Sequence, residues 1–278
     1  MQLLKRKPDS HKGDYGHVLV VGGSRGLSGA VCLAAQAALR AGCGLVTAGV
    51  PNSLNEVFEI KLTEAMSLPL ADREGSFSQP ALAQIKAVLG KFDFIVLGPG
   101  AGTKPGVKSF ILKLLKCIDK PVLLDADGIN ALSGQADILK KRKCRELILT
   151  PHLGEFSRLI NKSIATIKNG RKDLVKKFAL RYNLILVLKG RNTLVSDGRR
   201  LFENTTGNPG LATAGTGDVL SGIISGLAAQ GLDAYIAAKT GVYLHGLASD
   251  IAAKDKTQNC LIASDVIDYL PKAIKSSL

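Results

Sequence analysis

GHVLVVGGSRGLSGAVCLAAQAALR, residues 16–40, decides the fold. Its opening GHVLVVG is bounded by glycines and rich in Val, the pattern of a strand buried on both faces. A glycine-rich turn follows, and then an Ala-rich segment whose apolar residues recur at helical spacing until Ala41-Gly42 stops it. Strand, turn and helix in that order begin a β-α-β unit, and LVTAGV at 45–50 supplies the second strand.

The same alternation continues outward from this unit. Residues 92–97 (FDFIVL), 121–125, 147–150, 184–188 and 193–196 read as strands. Residues 80–88 and 104–117 read as helices, as does a segment from Ala131 onward. Helices over about 217–229, 233–252 and 264–276 complete the pattern. This predicts an α/β fold, a mostly parallel central sheet with helices on both faces. No linker or repeat interrupts it, so a single domain over residues 1–278 is expected.

Composition narrows the class. With 46% hydrophobic and 22% charged residues, the chain is neither disordered nor collagen-like. It has no apolar run long enough for a membrane span, and MQLLKRKPDSHKGDYG at the start holds no apolar leader. A cytoplasmic protein without membrane association is the expectation. Cys32, Cys43, Cys117, Cys144 and Cys260 are scattered, with no C-x-x-C or His/Cys cluster. Neither a disulfide framework nor a zinc site is expected, and no metal ligand is assigned. The net charge of +14 admits nucleic acid, anionic lipid or an anionic small molecule as partner. The basic runs lack interleaved aromatics, so no nucleic-acid partner is expected, and KKRKCR at 140–145 reads as a solvated turn.

In sheets of this class ligands bind beyond the carboxyl ends of the strands. Five polar motifs fall there: GGSRG (22–26), GPGAG (98–102), DADGIN (125–130), TPHLGE (150–155) and LKGRNT (188–193). The first is not a clean G-x-G-x-x-G and has no acidic strand end about 20 residues later, which argues against a hydride-transfer enzyme of the Rossmann type. No G-K-[ST] follows any glycine run, so a P-loop is absent.

The richest stretch is NTTGNPGLATAGTGDVLSGIISG, residues 204–226. Gly215, Thr216 and Gly217 open a helix, whose free backbone N–H groups attract a phosphate. Asp218 is placed to act as the general base that takes a proton from a hydroxyl attacking a phosphoryl group. Taken alone it reads rather as an N-cap, and it is the glycine-rich setting that favours the base. Lys189 and Gly190 suit a phosphate contact after a strand. His152 is open between a ligand contact and a structural role, with Glu155 as a first-turn partner of the helix dipole. Asp125 and Asp127 are open between magnesium held through water and an Asx turn at Gly128. His245 reads as packed.

Together these motifs resemble the ADP- or ATP-dependent NAD(P)H-hydrate dehydratases. The resemblance rests on KGDYGHVLVVGGS (12–24), ALRAGCGLVTAGVP (38–51), VLGPGAG (96–102), LLDADGIN (123–130), LTPHLGEFSRL (149–159), LKGRNTLVSDG (188–198) and NTTGNPGLATAGTGDVLSGIISGLAAQG (204–231). Thr103-Lys104 and residues 63–66 are the variable parts. The resemblance implies a ribokinase-like fold and repair of hydrated NADH and NADPH. ADP rather than ATP is the implied phosphoryl donor, with Mg2+ accompanying the phosphates. It assigns Asp218 as the base and Gly215, Thr216 and Gly217 as the anion hole, Gly217 also touching the nucleotide. Lys189, Gly190, Arg191, Asn192 and Thr193 would line the nucleotide site. Ala41, Gly102 and His152, with Asp218, would contact the hydrated dinucleotide. It further implies a homotetramer and a separate epimerase as functional partner, since the chain has no room for that second domain. The rival expectation is a kinase of the same fold acting on a hydroxymethyl-thiazole or pyrimidine.

Overall fold

The computed structural model describes residues 6–278; residues 1–5, where the segment read as lacking a leader begins, lie outside the described residues. In chain order the first elements are β1 (His17–Val21), α1 (Ser28–Arg40), β2 (Leu45–Pro51), α2 (Asn55–Lys61) and β3 (Met66–Leu70). A small hairpin of β4 (Asp72–Arg73) and β5 (Ser76–Phe77) leads into α3 (Pro80–Val88) and β6 (Phe94–Leu97). Then come α4 (Pro105–Cys117), β7 (Val122–Leu124), the one-turn α5 (Asp127–Asn130), β8 (Leu147–Leu149), α6 (Leu153–Ile160) and α7 (Ile164–Tyr182). The last are β9 (Ile185–Leu188), β10 (Leu194–Ser196), β11 (Leu201–Glu203), α8 (Thr216–Ala229), α9 (Ala234–Lys256) and α10 (Ala263–Lys275).

The main sheet has nine strands in the order β11-β10-β9-β8-β7-β6-β1-β2-β3. From β9 to β3 all neighbours are parallel, while β10 and β11 add an antiparallel edge. Side chains alternate across a strand, so β1 serves two cores at once. Leu19 and Val21 pack with Ile95, Phe110, Phe156 and Phe178 under α4, α6 and α7. Val18 and Val20 face the other way, toward Val31, Leu220 and Val242 of α1, α8 and α9. The apolar run of β1 is the sequence mark of that double burial. Outside α8 and α9, α10 adds a further layer through Val266, Ile267 and Leu270.

The expected α/β architecture holds, with local differences. No helix starts at Ala131. The chain instead makes α5, breaks at Gly134 (φ +75°) and continues as a 3-10 helix, Ala136–Lys141. Strands β3 and β11 and helix α2 extend the expected list. Within the basic turn, Arg142 is not simply solvated; it donates to the carbonyls of Leu139, Tyr182 and Asn183 and so closes the end of α7. Among the described residues no helix is long and apolar enough to cross a membrane.

The strand order reverses between β1 and β6. In open α/β sheets such a reversal leaves a crevice at the strand carboxyl ends. The loops after β1, β6, β7, β8 and β9 all emerge on that side, carrying the five motifs to one edge of the molecule.

Candidate active site

The site is built around the start of α8. Gly215 precedes the helix at φ +89°, a left-handed conformation that costs a residue with a Cβ and suits glycine. The hydroxyl of Thr216 donates to the carbonyls of Leu211 and Thr213 at 2.9 and 3.1 Å, pinning the approach. Nε2 of His245, from α9, lies 2.9 Å from the Thr216 carbonyl. Burial pushes His245 down to about 4, so its ring is neutral and serves as the donor in that bond. His245 is therefore packed, as expected, and also holds the first turn of α8.

A cavity of about 850 Å³ opens onto this turn. One wall is the turn between β9 and β10, Lys189, Gly190, Arg191, Asn192 and Thr193; the other comes from the loop 204–212. Thr216, Gly217, Leu220, Val242 and His245 form the floor. The first wall is tied to α7, because Arg171 donates to the carbonyls of Arg191 and Asn192 at 3.0 and 2.7 Å. The second is held by Asp250 of α9, which accepts from the Gly207 amide at 2.8 Å and from Asn208 at 3.0 Å. The structure thus gathers Lys189 to Thr193, Thr216 and Gly217 into one concave surface, with Gly215 at its helix end.

Asp218 is the third residue of α8, so the N-cap position belongs to Gly215 and the N-cap reading of Asp218 does not hold. Among the described residues its carboxylate receives no side-chain donor and no salt bridge. Burial pushes it up to about 7; the charge of Asp125 adds to this, Lys189 opposes it, and Asp127 and Glu155 add further. A carboxylate of that basicity is matched to proton transfer near neutral pH.

Asp125, only 1% exposed at the end of β7, is saturated. It accepts from Lys189 Nζ at 2.8 Å, Thr150 Oγ1 at 2.8 Å and Ser221 Oγ at 2.7 Å. Lys189 also stands 4.0 Å from Glu155. Burial works against its ammonium, but Asp125 and Glu155 outweigh that and raise its pKa. Asp127 forms no bond to Gly128; its two oxygens take the Gly102 amide at 2.8 Å and the Asn130 side chain at 3.2 Å. Gly102 is thereby fixed beside the acidic cluster.

His152 caps α6. Its Nδ1 accepts from the amides of Gly154 and Glu155 at 2.9 and 3.2 Å, which leaves the ring proton on Nε2. Burial first, and then the charges of Lys189 and Arg158, lower its pKa. Glu155 closes the capping box from its buried position, its carboxylate taking the His152 amide at 2.8 Å. Burial raises the pKa of Glu155 against the pull of Lys189.

Ala41 does not join the others. It is 6% exposed at the end of α1, where its carbonyl accepts from Gln230 just beyond the far end of α8. Helix α8 has 14 residues, so Ala41 lies roughly 20 Å from Asp218. The alanine of α1 on the site side is Ala30, in the first turn beside Gly100. Thr150 and Ser221 are the functional neighbours that motif reading missed. Ser221 follows Asp218 by three residues, which puts both on one helix face.

Among the described residues no group of three His, Cys, Asp or Glu could hold a metal ion. A carboxylate raised to about 7 in the first turn of a helix, next to a cavity that a lysine lines, suits the movement of phosphoryl groups. Residues 18–272 match the family model for NAD(P)H-hydrate dehydratase, and the chain belongs to that family. The bifunctional NAD(P)H-hydrate repair enzyme of Moorella thermoacetica is 43% identical over 278 residues, 99% of this chain and 52% of that protein. The ADP-dependent (S)-NAD(P)H-hydrate dehydratase of Neisseria meningitidis serogroup B is 41% identical over 251 residues, 88% of this chain and 80% of that protein. Among solved structures, the ADP/ATP-dependent NAD(P)H-hydrate dehydratase from Bacillus subtilis, co-crystallised with ATP and Mg2+, superposes with a TM-score of 0.83. That pair shares 31% identity over 99% of this chain and 94% of the other. The ribokinase-like α/β fold implied by the motifs therefore holds. The chain spans about half the length of the bifunctional relatives it matches.

Proposed function

We propose that this chain dehydrates the S epimer of hydrated NADH and NADPH, using ADP as phosphoryl donor and releasing AMP and phosphate. The observation that carries the reading is Asp218, without a side-chain donor among the described residues and raised to about 7, one residue beyond the cavity-lining Gly217. The names of the Neisseria and Bacillus relatives support both the substrate and the nucleotide.

In this reading the nucleotide lies between Lys189–Thr193 and the loop 204–212, its terminal phosphate directed at Gly215, Thr216 and Gly217. Asp218 removes the proton from the ring hydroxyl of the hydrate as that oxygen attacks the phosphoryl group. The exposed amides of α8 and the Lys189 ammonium take up the charge that spreads over the phosphoryl oxygens. The C–O bond to the ring then breaks as phosphate leaves, and the neighbouring ring carbon gives up a proton to solvent, so the elements of water are removed and the nicotinamide double bond is restored. Gly102 and His152 orient the hydrate against Asp218. Ala41, packed at the far end of α8, has no part in this.

The donor set fits magnesium arriving with the nucleotide rather than sitting in a protein cage. Glu155 would hold it through water, and its chemistry would be to neutralise phosphate charge. The +14 charge suits a protein that binds two polyanionic nucleotides. We further propose one dehydratase domain, assembly as a homotetramer, a cytoplasmic setting and an epimerase as functional partner.

The test is incubation of hydrated NADH with Mg2+ and either ADP or ATP, following the absorbance of reduced nicotinamide. Recovery with ADP, with AMP and phosphate formed one for one, supports the reading. No recovery, or a stable phosphorylated product from a hydroxymethyl-thiazole or pyrimidine, sinks it.

A further inference from the structure

We propose that Asp125 is a positioning residue that takes the Lys189 ammonium for itself, leaving Asp218 unpaired and Lys189 set against the anion turn. The inference rests on the role proposed above for Asp218. One ammonium faces three carboxylates here: Asp125 from the end of β7, Glu155 from α6 and Asp218 from α8, and Asp127 of α5 adds its charge to the field on Asp218. The geometry gives it to Asp125 at 2.8 Å, with Glu155 at 4.0 Å. Lys189 Nζ still lies against α8, 3.2 Å from where a Cβ on Gly217 would stand.

The remaining contacts of Asp125 explain how a buried carboxylate can compete. Thr150 at the end of β8 and Ser221 on α8 each donate a hydroxyl proton to it, at 2.8 and 2.7 Å. Two neutral donors and one cation keep the ionised form satisfied away from water. Ser221 also fixes Asp125 to the helix that carries Asp218, so the distance between the two carboxylates is set by one helical turn. A Lys189–Asp218 ion pair would occupy the lone pairs that Asp218 needs and would weaken it as a base. Asp125 prevents that pairing.

The experiment is a 13C-carboxyl NMR titration of Asp218 in the free protein, for the native chain, Asp125→Asn, Lys189→Gln and the double variant. Asp125→Asn is expected to lower the Asp218 midpoint by about one pH unit or more, because a repelling charge is lost and Lys189 turns toward Asp218. Its kcat should fall about tenfold, and its KM for ADP should rise. Lys189→Gln is expected to raise the Asp218 midpoint. Adding Asp125→Asn to it should bring the midpoint back down. The double variant removes both members of the Asp125–Lys189 pair instead of stranding one, so it serves even where Asp125→Asn alone does not fold. Equal midpoints for Lys189→Gln and the double variant overturn the proposal. So does an unchanged midpoint in folded Asp125→Asn. The titration needs no turnover, so a failed repair assay with the expected shifts would refute the dehydratase reading and leave this one standing.

Discussion

At its N-terminus α8 turns Gly217 toward a cavity, whereas further along the same helix Gly222 and Gly226 face α1. At Gly222 an added Cβ would stand 2.2 Å from the Ala34 carbonyl oxygen, and at Gly226 it would stand 2.5 Å from that of Ala38. Gly222 and Gly226 let two helices pack backbone to backbone; Gly217 leaves a path to a ligand. All three sit in one glycine-rich motif, and only position along the helix separates chemistry from packing.

The largest effect is expected at the cavity end. Asp218→Asn should lower kcat about 10³-fold while ADP binding, measured by calorimetry, changes little. The same variant sharpens the contrast through stability. The fold raises the Asp218 pKa from 3.8 to about 7, so the protonated form is favoured: its contribution is complete below about pH 4 and is lost as pH rises through 7. Asn cannot ionise, and urea unfolding should show the variant more stable than the native chain by on the order of a few kcal/mol at pH 8, and by less at pH 6. The packing end should answer in the opposite currency. Gly222→Ala is expected to cost about 3 kcal/mol of unfolding free energy, with kcat of the folded fraction nearly unchanged; a loss of kcat at full stability would break the comparison.

Milder effects follow. Asp218 must be ionised to accept a proton, so kcat/KM should fall as pH drops through about 7 and level off above it. A pH–rate profile flat between pH 6 and 8 would remove Asp218 as the base. The smallest effect is expected at Ala41. Ala41→Ser should leave KM for the hydrated dinucleotide within about twofold, since the residue lies a helix length from the site.

The strands from β1 to β9 that are buried on both faces were legible because double burial writes unbroken apolar runs into the sequence. Edge strand β3, MSLPL, carries a half-exposed Met66 and Pro69, which an edge tolerates and a central strand does not. Such a segment has no period to read. Strand β11 is only half-buried at all three positions and so writes no apolar run, and the seven residues of α2 are too few to show a period. The site was legible where chemistry needs unusual residues, as at Lys189 and Asp218. Thr150 and Ser221 escaped because a small hydroxyl beside a strand end or within a helix is common, and only the fold reveals that both point at Asp125. The separation of Ala41 from the other candidates was hidden for the converse reason: alanines recur along α1, and the pattern does not say which end of that helix meets the strand carboxyl ends.

The antiparallel edge has a consequence for how the activity can diverge. Both cavity walls, Lys189–Thr193 and the loop 204–212, flank β10 and β11 and so come from one uninterrupted piece of chain. The groups on the other side of Asp218 are collected from the separate ends of β6, β7 and β8. The half proposed to hold the nucleotide is thus a cassette, open to exchange or point-by-point revision without disturbing the parallel core. The half proposed to meet the hydrate is distributed, and altering it means re-fitting several loops together.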